Sequence, residues 1–304
     1  GCTAGVCTVA MLPKRPVGRR TGICTAFLRD AMTYAELQVT SNFSFLRGGS
    51  HPDELAITAA ALGLSAIAIT DRNSLAGVVR AHVGAKSAGI RLLVGARLDL
   101  QDGLSLLCFP TDRAAYGRLS RLLTVGRRRA PKGECWLDLD DVLGHDQGQI
   151  FVILPPSKPD ETFAKLLEKL GRHWPGHCYL AGHYLYSGDD RRRLARLAAL
   201  AEAAATPLLA TNDVHYHSPG RRPLQDVLCC IREHCTLTEA GFHVAANAER
   251  HLKTPDEMNR LFADYPDAVA RTVELAERCR FSLDELRYEY PAEPVPQGRT
   301  AQEE

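Results

Sequence analysis

From Tyr34 onward, short apolar runs alternate with longer stretches of helical periodicity. Residues 35–40 read as a short strand. The run Ala66-Ile67-Ala68-Ile69-Thr70 is apolar throughout, the pattern of a strand buried on both faces. Between the two, Ser50 is placed to cap a helix with Pro52 in its first turn. That helix runs to Gly63 and carries Leu55, Ala59 and Leu62 at helical spacing. A helix over 74–89, a strand over 91–100, a strand over 104–110 and a helix through Tyr116, Leu119, Leu122 and Leu123 follow. The rhythm then repeats as strand 149–154, helix 160–174, strand 178–185, Ala-rich helix 189–205, strand 207–211 and helix 223–235. Strands alternating with helices of about 10–15 residues predict βαβ units and a parallel sheet, hence an α/β fold. Six or more strands in one such series suit a closed barrel as well as an open sheet.

The two ends differ from this middle. Residues 1–31 are rich in Gly, Thr and Cys and lack periodicity, and they read as a disordered or non-native extension ahead of Met32. Their short apolar stretch from Val6 to Leu12 precedes Lys14, Arg15, Arg19 and Arg20, the reverse of a secretory signal. Near the other end, Thr254-Pro255-Asp256-Glu257 has the cap, first-turn proline and third-position acid of a helix start. A last helix is expected over 266–279. After Pro291 the chain turns rich in Pro, Glu and Gln and reads as a linker over 291–304. The expected division is therefore 1–31 extension, 32–222 barrel, 223–290 helical end and 291–304 linker.

Composition adds limits more than identity. Hydrophobic residues make up 45% and charged residues 24% of the 304, so the chain can bury a sizeable core. Net charge is +1, which leaves any contact with nucleic acid to local patches. Ten cysteines occur without a CxxC pair, which points away from zinc ribbons and thioredoxin chemistry and towards a reducing cytoplasm. No apolar run reaches the ~18 residues of a membrane span.

In βα architectures chemistry gathers at the C-terminal ends of strands. Three such ends are polar here: Glu36 to Asn42, Asp71-Arg72-Asn73, and Thr211-Asn212-Asp213-Val214-His215-Tyr216-His217. On extended backbone Asp213 and His215 point to one side, where a carboxylate and an imidazole could share a zinc or manganese ion; the same pair could equally orient a turn and pack at a loop mouth. Of the basic runs, Arg127-Arg128-Arg129 with Lys132 are candidate phosphate contacts, although a helix C-terminus favours cations without any ligand. Arg191-Arg192-Arg193 beside Asp189 and Asp190 reads as a solvated face.

These residues carry a resemblance. Tyr34-Ala35-Glu36-Leu37-Gln38-Val39-Thr40-Ser41-Asn42-Phe43-Ser44-Phe45-Leu46-Arg47-Gly48 resembles the opening motif of the PHP (polymerase and histidinol phosphatase) domain of C-family bacterial DNA polymerases. Ala68 to Gly77, Leu93-Val94-Gly95-Ala96-Arg97 and Ala210 to Tyr216 resemble later motifs, and the similarity runs in order from about Met32 to Glu304. The subgroup it resembles most is the error-prone polymerases, relatives of the polymerase III alpha subunit. The resemblance implies a distorted parallel (β/α) barrel of PHP type, followed by short C-terminal helices. It also implies a parent enzyme in the cytoplasm that copies primer-template DNA across lesions in DNA repair, using Mg2+ bound by palm and fingers domains outside this chain. Sliding clamp and mutasome proteins are the implied partners.

Family members with an intact site bind several metals and hydrolyse phosphoesters, some as 3′→5′ exonucleases. Here the family's ligand positions fall on Gln38, Thr40, Arg72 and Arg97, leaving Asp71, Asp213 and His215 with ligand chemistry; His183 lies near a further ligand region. Guanidiniums at such positions repel divalent cations. The expectation is a vestigial, metal-free site, with Arg72 and Arg97 paired to Asp71 or Asp213, and a scaffold role without cofactor. The alternative is a PHP phosphoesterase or 3′→5′ exonuclease using Zn2+ or Mn2+.

Overall fold

The computed structural model describes residues 33–287. The expectations for 1–31, Met32 and 291–304 lie outside the described residues. Three parallel strands, β1 (Ala35–Glu36), β2 (Ala66–Ile69) and β3 (Arg91–Val94), form one sheet in that order. A second sheet runs β4 (Ala96–Asp99), β5 (Ser105–Pro110), β6 (Gln149–Leu154), β7 (Cys178–Gly182) and β8 (Leu208–Ala210). A bridge between Arg72 and Arg97 joins the sheets on one side, and a parallel bridge between Val39 and Val214 joins them on the other. Together they close a distorted α/β barrel.

The distortion has a local cause. The expected strand 91–100 is divided at Gly95, where a Cβ would meet the Phe109 ring at 2.7 Å. Before the break it pairs with β2, and after it with β5. The expectation of uniformly parallel strands fails at β5, which is antiparallel to both β4 and β6. Only Leu100 to Leu104 connects β4 to β5, with Gly103 at φ 89° and Leu100 N donating to Leu104 O at 2.8 Å. So short a turn makes a hairpin, since a parallel neighbour needs a crossover of a dozen residues or more.

Helices α1 (Pro52–Ala61), α2 (Val78–Ala88), α3 (Arg113–Arg129), α4 (Leu139–Leu143), α5 (Glu161–His173), α6 (Asp190–Ala203), α7 (Arg222–Glu233), α8 (Pro255–Leu261) and α9 (Pro266–Arg278) complete the described fold. Asp112, Asp160 and Thr254 cap α3, α5 and α8 by accepting from the third backbone N–H beyond each cap residue. Ser50 is not the cap of α1. His51 occupies that position, and the Ser50 hydroxyl instead bonds His217 Nδ1 at 2.8 Å.

Strand side chains alternate between two apolar clusters. Ile67, Ile69, Leu106, Cys108, Phe151, Ile153 and Leu180 gather with helix residues Leu55, Leu119, Leu167 and Leu197. Ala66, Ala68, Leu107, Phe109, Ile150, Val152 and Ala181 gather with Leu275 and Ala276 of α9. Because both faces of the strands are covered, their sequences are apolar runs rather than alternating ones. Among the described residues no helix is long and apolar enough to cross a membrane.

Candidate functional site at the barrel mouth

The loops beyond β1, β2 and β8 and strand β4 meet at one end of the ring. Backbone bonds lock them together: Val214 N donates to Gln38 O and Thr40 N to Val214 O, both at 2.8 Å, and Gly49 N donates to His215 O at 2.7 Å. A fifth segment joins when His215 N donates to Arg250 O at 2.9 Å and Tyr216 bridges His251. Asp213 holds a left-handed φ of 47°, which short polar side chains tolerate.

The sequence-predicted residues meet unequal fates. Asp71 is fully buried. It accepts from Ser41 N at 2.9 Å and from the Ser41 and Ser44 hydroxyls, both at 2.7 Å. Burial raises its pKa, against the lowering effect of those bonds. Asp213 and His215 do come together, with His215 Nε2 3.6 Å from Asp213 Oδ1. Asp213 also accepts from Gln38 Nε2 at 2.8 Å and pairs with Arg250. Gln38 Oε1 is buried without a partner, while Thr40 is buried and contributes its backbone N–H.

The expected pairing of Arg72 and Arg97 with Asp71 or Asp213 is wrong. Arg72 Nη1 donates to Asp99 Oδ2 at 2.8 Å, and Arg97 Nε donates to Asp99 Oδ1 at 2.7 Å. Strand geometry explains the choice. Asp99 lies two residues beyond Arg97 on β4 and so shares its face, and the Arg72–Arg97 bridge brings Arg72 alongside. The Ser105 hydroxyl adds a third bond to Asp99 at 2.6 Å. Burial alone would raise the Asp99 carboxyl, but Arg97 and Arg72 outweigh it and hold it below its ordinary range.

Sequence reasoning did not find Asp99, Arg47, Arg232 or Arg250. The R-x-D spacing of Arg97 and Asp99 was a usable signal; Arg232 and Arg250 reach the mouth only through tertiary folding. The effect of this crowding is visible in the titrating groups. Burial, then repulsion by Arg97, pushes Arg72 down to about 10. Burial, then Arg97 and Arg72, pushes Arg250 down to about 10. Arg47 is lowered by burial and by Arg232. Burial and the nearby Arg72, Arg97, Arg232 and Arg47 push His215 down to about 3, so its imidazole is neutral. His183 beyond β7 is likewise lowered to about 3 by burial and by Arg193, whose guanidinium contacts its Nε2 at 2.9 Å.

Glu36 is a further buried acid beneath the mouth. It accepts from Tyr34 OH at 2.8 Å and Gln38 N at 2.9 Å, and burial raises it to about 7. Two residues of the basic run at the end of α3 are engaged within the chain. Arg129 makes a two-pronged contact with Asp141 at 2.7 and 2.9 Å, and Arg127 donates to Asn73 O at 3.0 Å. Arg128 and Lys132 are exposed.

This donor set does not fit a multi-metal centre. Among the described residues no three His, Cys, Asp or Glu side chains converge as metal ligands. Asp71 is saturated by serine donors, Asp213 is held by Arg250, and the surrounding charge is cationic. The mouth is chemically suited to holding an anion rather than a divalent cation.

A family model described as the PHP domain matches residues 36–172. A Caulobacter vibrioides protein named error-prone DNA polymerase is 57% identical over 269 residues, covering 88% of this chain and 25% of that protein. Error-prone DNA polymerase 1 of Agrobacterium fabrum is 49% identical over 274 residues, covering 90% of this chain and 25% of that protein. The chain thus spans about a quarter of the length of these curated relatives. Among solved structures, an amidohydrolase from Chromobacterium violaceum aligns with TM-score 0.49 and 17% identity, over 60% of this chain and 88% of that one.

Proposed function

The chain carries a PHP domain related to that of the bacterial error-prone DNA polymerases, and from this premise we propose that it is the N-terminal scaffold region of such an enzyme, with a degenerate metal site. In this reading the parent protein is a DNA-directed DNA polymerase acting in translesion synthesis and DNA repair. Its Mg2+-dependent chemistry resides in palm and fingers domains outside this chain, and primer-template DNA is its substrate. The sliding clamp and mutasome proteins are partners of the parent, met elsewhere on it. The domain division 32–222 and 223–290 belongs to the same proposal.

The observation that carries the scaffold reading is the pairing of Arg72 and Arg97 with Asp99. Two guanidiniums occupy the strand ends at which hydrolytic members of the family would present metal ligands. With Asp213 paired to Arg250 and Asp71 saturated by Ser41 and Ser44, neither carboxylate among the described residues of the mouth is free to hold a metal.

Two measurements test the reading. Metal content of the purified 304-residue chain by plasma mass spectrometry is expected near zero. Phosphodiesterase assays with added manganese or zinc are expected to show no turnover. Stoichiometric metal, with hydrolysis lost on Asp213→Ala or His215→Ala, would establish the phosphoesterase or exonuclease alternative instead. For the parent protein, primer extension past a template lesion should depend on the polymerase region and survive Asp213→Ala.

A further inference from the structure

Helix α7 ends in a turn that brings two thiols together. His234 takes a left-handed φ of 54°, the place usually given to glycine. Around it Cys235 N donates to Cys230 O at 3.1 Å, and His234 N donates to Ile231 O at 3.4 Å. These two bonds form a Schellman motif, in which the side chains at the two ends of the longer bond commonly pack on each other. Here those two positions are Cys230 and Cys235. Both line one cavity, together with Val227, Ile231 and Leu237.

The pair differs from the other described cysteines. Burial raises the Cys230 thiol, and a side-chain hydrogen bond with Cys235 raises it further. Cys235 is half-buried and so stays within reach of a dissolved oxidant. Cys178 and Cys279 are buried, and burial pushes both up to about 12, which leaves them inert. Cys229, next in the chain to Cys230, is committed elsewhere. Its Sγ donates to His243 O at 2.9 Å and accepts from Arg232 Nη2 at 3.1 Å. A disulfide spans Cα atoms roughly 4.4–6.8 Å apart, a reach that suits two residues joined by a direct backbone bond.

We propose that Cys230 and Cys235 are a redox modification site, closing into a reversible disulfide that staples the end of α7, with a low-molecular-weight disulfide as the oxidant. The Cys235 thiolate attacks one sulfur of glutathione disulfide, forms a mixed disulfide and expels one glutathione thiolate. That thiolate takes the Cys230 proton. The Cys230 sulfur then attacks the Cys235 sulfur and expels the second glutathione thiolate, which takes up the proton that Cys235 had lost. Two protein thiols are oxidised, and one glutathione disulfide is reduced to two thiols. The staple fixes a helix that braces the barrel mouth, since Gln225 Nε2 donates to Arg47 O at 2.8 Å and Arg232 Nη1 donates to Leu46 O at 3.0 Å.

The experiment equilibrates the 304-residue chain in glutathione buffers of rising oxidised-to-reduced ratio, traps free thiols with N-ethylmaleimide and maps tryptic peptides by mass spectrometry. Trypsin cuts after Arg232 and so separates the two cysteines unless they are bonded. The expected product joins the peptide ending at Arg232 to the one beginning at Glu233. It should persist in Cys229→Ala and vanish in Cys230→Ala and in Cys235→Ala. The second of these alters a half-buried side chain and keeps the test open should the first unfold the chain. The fold favours the bond by as much as the bond favours the fold. At one glutathione ratio, disulfide over dithiol should therefore be about tenfold higher in the native chain than in the same chain unfolded in urea. Absence of the link would overturn the proposal, as would a reaction that stops at a glutathione adduct or a link made through Cys229 or any other cysteine. Equal formation in the native and urea-unfolded chain would overturn it as well.

Discussion

At the scale of single residues, the barrel is tuned by groups whose protonation differs between folded and unfolded chain. Glu36 is raised to about 7 from 4.5 by burial. The folded state therefore keeps a proton that the unfolded chain releases first. Its stabilising effect is full below about pH 4.5 and is lost as pH rises to about 7, on the order of 3 kcal/mol. Glu36→Gln keeps an acceptor for Tyr34 and Gln38 and should flatten this part of the stability–pH curve, as urea unfolding at pH 5 and pH 8 would read. His215 works in the opposite direction. Lowered to about 3 from 6.5, it stays neutral where the unfolded chain takes up a proton, so stability falls as pH drops below 6.5 towards 3. The two slopes oppose each other across the overlap, and only the single variants separate them. Asp99 is the ion-pair counterpart. Asp99→Asn leaves Arg72 and Arg97 facing each other without a carboxylate, with an expected loss of about 1–3 kcal/mol, reduced from that of a fully buried pair because the site is partly exposed. Unchanged unfolding free energy in that variant would mean that solvent already screens the pair.

At the scale of elements, the bend at Gly95 decides how β3 and β4 serve two different neighbours. Gly95→Ala places a methyl group against the Phe109 ring and should cost about 1–3 kcal/mol. Phe109→Leu in the same chain should return part of that cost, and a double-mutant cycle with no coupling would show that the close approach is not the reason for the glycine. Most elements were legible in the sequence because their signals are local. Asp160 and Thr254 stand where capping chemistry predicts, and the apolar run 66–69 is a strand covered on both faces. The direction of β5 was missed although Asp102-Gly103 marks a tight turn, because strand–helix alternation was extended across a connection too short to hold a helix. Five-residue α4 was missed since it offers little more than one turn of periodicity. The site was legible in part for the same reason. Asp71, Asp213 and His215 follow strand ends and so announce themselves, whereas Arg250 enters the mouth through backbone pairing with His215 that no spacing encodes.

At the scale of the whole molecule, the apolar core is continuous across the proposed division between residues 222 and 223. Met258, Leu261, Phe262, Ala268 and Val269 pack in the same cluster as the helix residues of α1, α3, α5 and α6, and Leu275 and Ala276 join the other face of the strands. Thr272 accepts from Ala35 N at 3.1 Å, so α9 supplies a hydrogen-bond partner to the first strand of the ring. Arg232 and Arg250, both beyond residue 222, complete the charged mouth. Loss of the last two helices should therefore unfold the barrel rather than trim it. A chain ending at residue 253 would expose the apolar surface that α8 and α9 cover, and each buried aliphatic or aromatic side chain among them contributes about 1.5–3 kcal/mol. Several such losses exceed the 5–15 kcal/mol margin typical of a folded domain. Urea unfolding followed by tryptophan fluorescence should give one cooperative transition for a chain ending at residue 287 and none for the shorter one. A full transition with an undiminished slope in the shorter chain would make α8 and α9 an appendage, and would place the limit of the folding unit before Thr254. The single change Thr272→Val asks the same question within the intact chain. It leaves Ala35 N buried without an acceptor and should lower stability by about 1–3 kcal/mol, because the ring closes next to that strand.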